Sequence, residues 1–368
     1  MDPRIDKLAE LLVDYSVGVR PGDRVLIDGD TMAAPLLRAV YGRVLRAGGH
    51  PLMQLSLDGL DELLFRLADD EQLRYVHEPV RQALETYDVR IAICADANTK
   101  ALSGVDPTRM VLREQSRADL TKTFLRRSAS GELRWVLSLF PTNAYAQDAE
   151  MSLAEYEDFV YGACMPDPFD PVGYWKRVSA RQESVVEWLR GKQSVEVRGP
   201  GTDLRLNITG RNFVNCDCHQ NVPDGEVFTG PVEDSMEGTV NFSYPALYSG
   251  REVTGVRLWF ERGVVVKATA EKNEAFLLST LETDAGARRV GEFAIGTNEA
   301  ITRFTGQILF DEKIGGSFHL ALGAGYPETG SRNESAIHWD MICDLRDGGE
   351  IRVDGELLYR NGAFVIDL

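Results

Sequence analysis

Two segments in the last third of this chain each bury an ionisable side chain in a run that is otherwise apolar. Gly291-Glu292-Phe293-Ala294-Ile295-Gly296 has a carboxylate inside a strand-like stretch, and Phe318-His319-Leu320-Ala321-Leu322-Gly323 has an imidazole. A buried charge without a partner costs far more than one strand's packing returns, so Glu292 demands a cation nearby. Any fold open to this chain must supply it.

Three further segments share this character. Asn221 to Pro231 (Asn221-Val222-Pro223-Asp224-Gly225-Glu226-Val227-Phe228-Thr229-Gly230-Pro231) puts Glu226 at the entry of a short β segment. Leu309-Phe310-Asp311-Glu312 sets two acids behind an apolar pair, and Ala336-Ile337-His338-Trp339-Asp340-Met341-Ile342 spaces His338 and Asp340 two apart. On a strand that spacing places both side chains on one face. Each has an ordinary reading when taken alone. Glu226 is then a solvated loop acid, Glu312 half of a surface ion pair, His319 a satisfied core histidine, and His338 with Asp340 a hydrogen-bonded pair. Together they leave several buried charges, which divalent cations would resolve at once. Three or four carboxylates with two imidazoles exceed the four ligands of a typical zinc site. They suit two cations sharing a carboxylate, roughly 3.5–4 Å apart, as in dinuclear hydrolases.

The rest of the chain predicts a two-domain scaffold. Asp2 and Pro3 read as an N-cap and first helical residue, followed by one apolar face at Ile5, Leu8, Leu12 and Tyr15. A strand at 24–28, a helix over 34–47 and a strand over 51–57 form a βαβ unit, which implies parallel pairing. Val89–Cys94 and Trp135–Phe140 read as further buried strands, with helices near 107–127 and 152–164. After a helix over 171–189 the pattern changes to period-two strands, including a hairpin turning at Arg262-Gly263. The expected fold is an α/β N-terminal domain with a mostly parallel sheet over 1–190. An α+β, mainly antiparallel-β metal-binding domain follows over 191–368.

Several functions are excluded or disfavoured. A net charge of −17 argues against nucleic acid and against anionic membranes. The turn Asp28-Gly29-Asp30-Thr31-Met32 lacks the glycine pattern of a dinucleotide site. His77-Glu78-Pro79-Val80-Arg81 has Arg81 where a zinc-binding helix needs histidine, and Pro79 is expected to disrupt a helix there. Cys216-Asp217-Cys218-His219 has metal-binding residue types but no second pair at zinc-finger spacing. Five scattered cysteines form no disulfide framework, and the N-terminus has no apolar signal stretch, so a soluble, cytoplasmic protein is expected.

The C-terminal segments, in order, resemble the aminopeptidase T family of metallopeptidases, which also includes the bacterial aminopeptidases S. The residues that carry the likeness are Asp224-Gly225-Glu226-Val227-Phe228-Thr229, Gly291-Glu292, Leu309-Phe310-Asp311-Glu312, His319-x-Ala321-Leu322-Gly323 and His338-x-Asp340. Pro21–Ile27 and Met151–Val160 extend it over essentially the whole chain. The resemblance implies metal ligation by Glu226, Glu292, Glu312, His319, His338 and Asp340, with Glu292 and Asp340 bridging. It implies two divalent ions, zinc or cobalt first, with magnesium or manganese as alternatives. It also implies an active-site tyrosine at Tyr326, peptide substrates and a homodimer; for the hydrolysis itself, whichever of Glu292 or Glu312 is less fully ligated is expected to take the proton. The stretch between His319 and His338 is shorter than expected for the family, which leaves the pocket rim open. Two rivals remain. One is a mononuclear iron ring-cleaving dioxygenase using His319, His338 and Asp340. The other is a non-enzymatic ligand-binding protein with a degenerate site.

Overall fold

The computed structural model describes residues 2–367. The chain divides into two compact units, Met1–Tyr174 with Cys218–Pro223, and Trp175–Asp217 with Asp224–Leu368.

The first unit is built on a parallel sheet in the order His50–Ser56, Arg24–Asp30, Val89–Cys94, Arg134–Leu139, Asn221–Val222. Its central strands are apolar and lined with buried side chains such as Val25, Ile27, Val89, Ile91 and Val136, as sheets covered on both faces require. Asp2 accepts from the Arg4 N–H and starts the first helix, Pro3–Glu10, whose Ile5 and Leu8 are buried. The helix Ala34–Arg46 follows the first strand, buries Leu36, Leu37, Val40 and Val44, and returns the chain to the sheet at His50. That is the expected βαβ unit.

The structure departs from the sequence reading in three places here. Short helices cover Leu60–Leu67, Asp70–Arg74 and Glu78–Thr86, a region the sequence pattern left unread. Pro79 does not break the last of these. It lies in the first turn, where the missing N–H has no partner to lose. The division between units also falls at Tyr174/Trp175, ahead of the expected boundary near 190. The helix Pro171–Leu189 places Val185 and Leu189 in the apolar core of the second unit, so burial decides its allegiance. Asn221-Val222, beyond that boundary, pairs with Leu137 and Ser138 in the parallel sheet of the first unit.

The second unit holds an eight-stranded sheet, a two-stranded one and a five-stranded one. The five-stranded sheet runs His338–Asp344, Ser317–Gly323, Val290–Gly296, Glu226–Thr229, Val214–Cys216, antiparallel throughout. One of its faces carries Val227, Phe293, Ile295, Phe318, Leu320, Leu322, Trp339 and Met341 into the main core. The alternate residues of the same strands must then point the other way. They include Glu226, Glu292, His319, His338 and Asp340.

Candidate metal centre

Register brings these alternate residues together. Glu292 lies opposite Ala321, and Ala321 opposite Asp340. One step along, Phe228 pairs with Ala294 and Ala294 with His319, and Glu226 lies opposite Gly296. The intervening positions are Ala294, Ala321 and Gly296, so the large polar side chains have room between the strands. The strands Val290–Gly296 and Ser317–Gly323 are buried along their full length. Glu312 arrives from outside the sheet, at the end of the short helix Ile308–Asp311.

All six sequence-predicted ligands converge. One oxygen of Glu292 lies 3.4 Å from His319 Nε2, and its other oxygen lies 3.4 Å from His338 Nε2. Asp340 Oδ1 is 3.4 Å from His338 Nε2 and 4.0 Å from His319 Nε2, while Glu226 Oε2 is 3.5 Å from His319 Nε2. Three overlapping sets have ligand atoms within 4.8 Å of one another: Glu226, Glu292 and His319; Glu292, His338 and Asp340; and Glu312, His319 and Asp340. Glu292, His319 and Asp340 each belong to two of these sets, which places them at the middle of the cluster.

The backbone fixes the imidazoles. His319 Nδ1 faces the Glu312 carbonyl at 3.1 Å and His338 Nδ1 faces the Ala324 carbonyl at 2.9 Å. A carbonyl only accepts, so each Nδ1 carries the hydrogen and each neutral ring turns its Nε2 lone pair to the carboxylates. A lone pair facing carboxylate oxygens is repulsive unless a cation lies between.

Two buried oxygens, Glu226 Oε2 and Asp340 Oδ1, make no hydrogen bond. Orphaned acceptors in a dry site are expensive. Without an ion, protons must fill the gap. Burial opposes the imidazolium forms, yet the carboxylates overcome it and push His319 up to about 9 and His338 up to about 12. Burial likewise opposes ionisation of Glu292, but hydrogen bonds from both imidazoles hold it well below the usual carboxylate range. Burial drives Glu226 up to about 8 despite the opposing pull of Lys313 and His319. The donor set, oxygen-rich with two preset imidazoles, fits divalent cations.

A model of the thermophilic metalloprotease family M29 matches residues 1–364. The chain belongs to this family. Among its M29 relatives, aminopeptidase T of Thermus thermophilus is 27% identical, over 97% of this chain and 95% of that protein. Aminopeptidase 2 of Geobacillus stearothermophilus is 26% identical, over 100% of this chain and 99% of that one. The solved structure of wild-type AmpT from Thermus thermophilus superposes with a TM-score of 0.88 at 26% identity, covering 99% of both chains. A 2,5-dihydroxypyridine dioxygenase from Pseudomonas putida shares the fold at a TM-score of 0.61 and 14% identity, over 100% of this chain and 98% of that one.

Around this M29 centre, Tyr326 stacks edge-on against Phe228 and His338, with ring centroids 5.3 Å away in each case. Tyr326 as a whole residue is 38% exposed. The surrounding protein and the Glu292, Asp340 and Glu312 charges push its phenol far above the ordinary value, so it stays a hydrogen-bond donor. The short loop beyond it is tied down by Asn333, whose amide donates to the carbonyls of Gly286 and Gly323 at 3.0 and 2.6 Å.

Sequence reasoning missed Asp224, Cys216 and, most consequentially, Lys313. Its side chain is 1% exposed, and Nζ lies 2.5 Å from Glu226 Oε1 and 2.7 Å from Glu312 Oε1. The available signal was its place directly after Asp311-Glu312 and before Ile314, which an exposed ion pair fits as well as a buried one. Of the motif Cys216-Asp217-Cys218-His219, Cys216 lies with Asp224 and Glu226, while His219 packs on Tyr15 with centroids 4.7 Å apart.

Proposed function

We propose that this protein is a dinuclear metallo-aminopeptidase that removes N-terminal residues from peptides. One observation carries the reading: Glu292 offers one oxygen to each of two imidazoles whose Nδ1 atoms are already committed to carbonyls. Glu226, Glu292, Glu312, His319, His338 and Asp340 would hold two ions there, with Glu292 and Asp340 as the carboxylates near enough to serve both. A pair of dications here, zinc or cobalt before magnesium or manganese, supplies a water of lowered pKa and polarises the scissile carbonyl.

The chain's own groups do the rest. Tyr326 donates its hydroxyl hydrogen to the oxygen on which charge develops. Glu292 or Glu312, whichever is less fully ligated once the ions are bound, takes a proton from the attacking water and passes it to the leaving amine. A carboxylate oxygen of the centre would accept from the substrate's free α-ammonium, which favours cleavage at the N-terminal residue over internal cleavage.

The iron dioxygenase reading is less well supported. It uses His319, His338 and Asp340 and leaves only Lys313 to balance the three buried carboxylates of Glu226, Glu292 and Glu312. A homodimer is supported by the first unit's edge strand and the helix after it, which leave Leu52, Leu55, Leu57, Leu60, Leu63 and Leu67 exposed. A cytoplasmic setting is supported by five free cysteines. Among the described residues no helix is long and apolar enough to cross a membrane.

The test is hydrolysis of Leu-, Phe- and Arg-p-nitroanilides by the metal-reconstituted protein, with His338→Ala beside it. Turnover by the parent and loss in the variant are expected. Equal, negligible rates in both would remove the peptidase reading.

A further inference from the structure

Lys313 is a fully buried lysine whose ammonium ends among three carboxylates, 2.5 Å from Glu226, 2.7 Å from Glu312 and 3.7 Å from Asp224. On the same side of the centre lies the thiol of Cys216. Its sulfur and one oxygen each of Asp224 and Glu226 fall within 4.8 Å of one another, the spacing of ligands around a single ion. We propose that the Lys313 ammonium is a resident monocation occupying a third cation position, so that the cluster admits two dications and not three. The inference rests on the dinuclear reading above and extends it.

Charge balance supports it. The cluster holds five carboxylates, from Asp224, Glu226, Glu292, Glu312 and Asp340. Two dications leave one negative charge, which the lysine cancels. Removal of the lysine leaves a buried net charge, which a low-dielectric site tolerates badly. An ammonium is compact and offers three donors, so it can occupy an ion's place in a way the wide, planar guanidinium cannot. By accepting from Lys313, Glu226 and Glu312 each commit one oxygen away from the ions, which makes Lys313 a positioning residue for both.

The backbone keeps the ammonium there. The Lys313 N–H donates to the Phe310 carbonyl at 3.0 Å, and its own carbonyl accepts from the Asn298 N–H at 3.1 Å. Gly296 lies directly beneath, where a Cβ would come within 2.2 Å of the Ile314 carbonyl oxygen. The segment bearing the lysine is therefore pressed onto the sheet.

The experiment counts cobalt per chain by elemental analysis and records the near-ultraviolet spectrum of the Co²⁺ forms. The parent is expected to hold two ions and to lack a thiolate-to-cobalt charge-transfer band. Lys313→Ala is expected to hold three and to show that band, since thiolates are good ligands for such ions. The band should vanish in Lys313→Ala with Cys216→Ser. Two ions and no band in Lys313→Ala would overturn the proposal while leaving the dinuclear reading intact, whereas fewer than two ions in the parent would overturn that reading itself. Should the alanine variant fail to fold, Lys313→Ser puts the same question. A thiolate band in the parent would also refute the assignment, because Cys216 would then already be a ligand.

Discussion

Stripping the dications with a chelator and adding them back should move the melting temperature by an amount that counts the ions. A ligand that binds only the folded state at a hundred times its dissociation constant stabilises by about 2.7 kcal/mol. Two such ions therefore contribute about 5 kcal/mol. Unfolding entropy of about 2.1 cal/mol/K per residue gives roughly 0.8 kcal/mol/K for 368 residues. The expected rise is about 7 °C for two ions and about half that for one. Geometry then ranks the variants. Glu292 faces both imidazoles at 3.4 Å, so Glu292→Gln should abolish nearly the whole metal-induced increment. His338→Ala touches one side of the cluster and should abolish about half. Differential scanning fluorimetry of each variant, with and without Co²⁺ or Zn²⁺, reads the increment directly, and any intrinsic effect of the substitution cancels. A parent whose melting does not respond to dications, or a Glu292→Gln loss no larger than that of His338→Ala, would refute the shared-carboxylate geometry.

Tyr326→Phe should lower kcat by about 10²–10³-fold with KM and the bound-metal count unchanged, as expected for loss of a donor that acts only in the transition state. Steady-state kinetics beside elemental analysis checks this. The acid limb of stability should depend on Asp284. Burial opposes its charge, but the N–H of Ala336, the Ser335 hydroxyl and the N–H groups of Gly286 and Ala287 outweigh it and depress its carboxyl. A folded pKa below the unfolded one gives stability that is present above the unfolded value, near 4, and is lost as pH falls through the folded value. Asp284→Asn should therefore flatten the fall in melting temperature at acid pH. An unchanged pH profile would show that this turn contributes nothing.

The strands of the centre were legible because period two is hard to disguise. Glu292 and His319 stand out in apolar runs, and His338-x-Asp340 shares one face on any strand. Glu312 was legible as chemistry but not as structure, since four residues of helix, Ile308–Asp311, are too few to show a period. The helices over 60–86 were missed because they bury little. Leu60–Leu67 has no buried residue, so no apolar stripe marks a core-facing side. Lys313 was overlooked for the opposite reason. A lysine beside two acids reads as a surface ion pair until its burial is known.

The sequence alone determined that charged groups would lie in apolar strands and that cations had to meet them, because the cost of an unpaired buried charge does not depend on the fold. It also determined a parallel half and an antiparallel half, through the switch from βαβ spacing to period-two alternation. Tertiary structure alone decided which side chains converge on Glu292, which imidazole nitrogen is presented, and that an ammonium lies within the cluster. These depend on cross-strand register, on the Glu312 and Ala324 carbonyls, and on a turn that folds Lys313 inward. No local pattern encodes distances between residues so far apart along the chain.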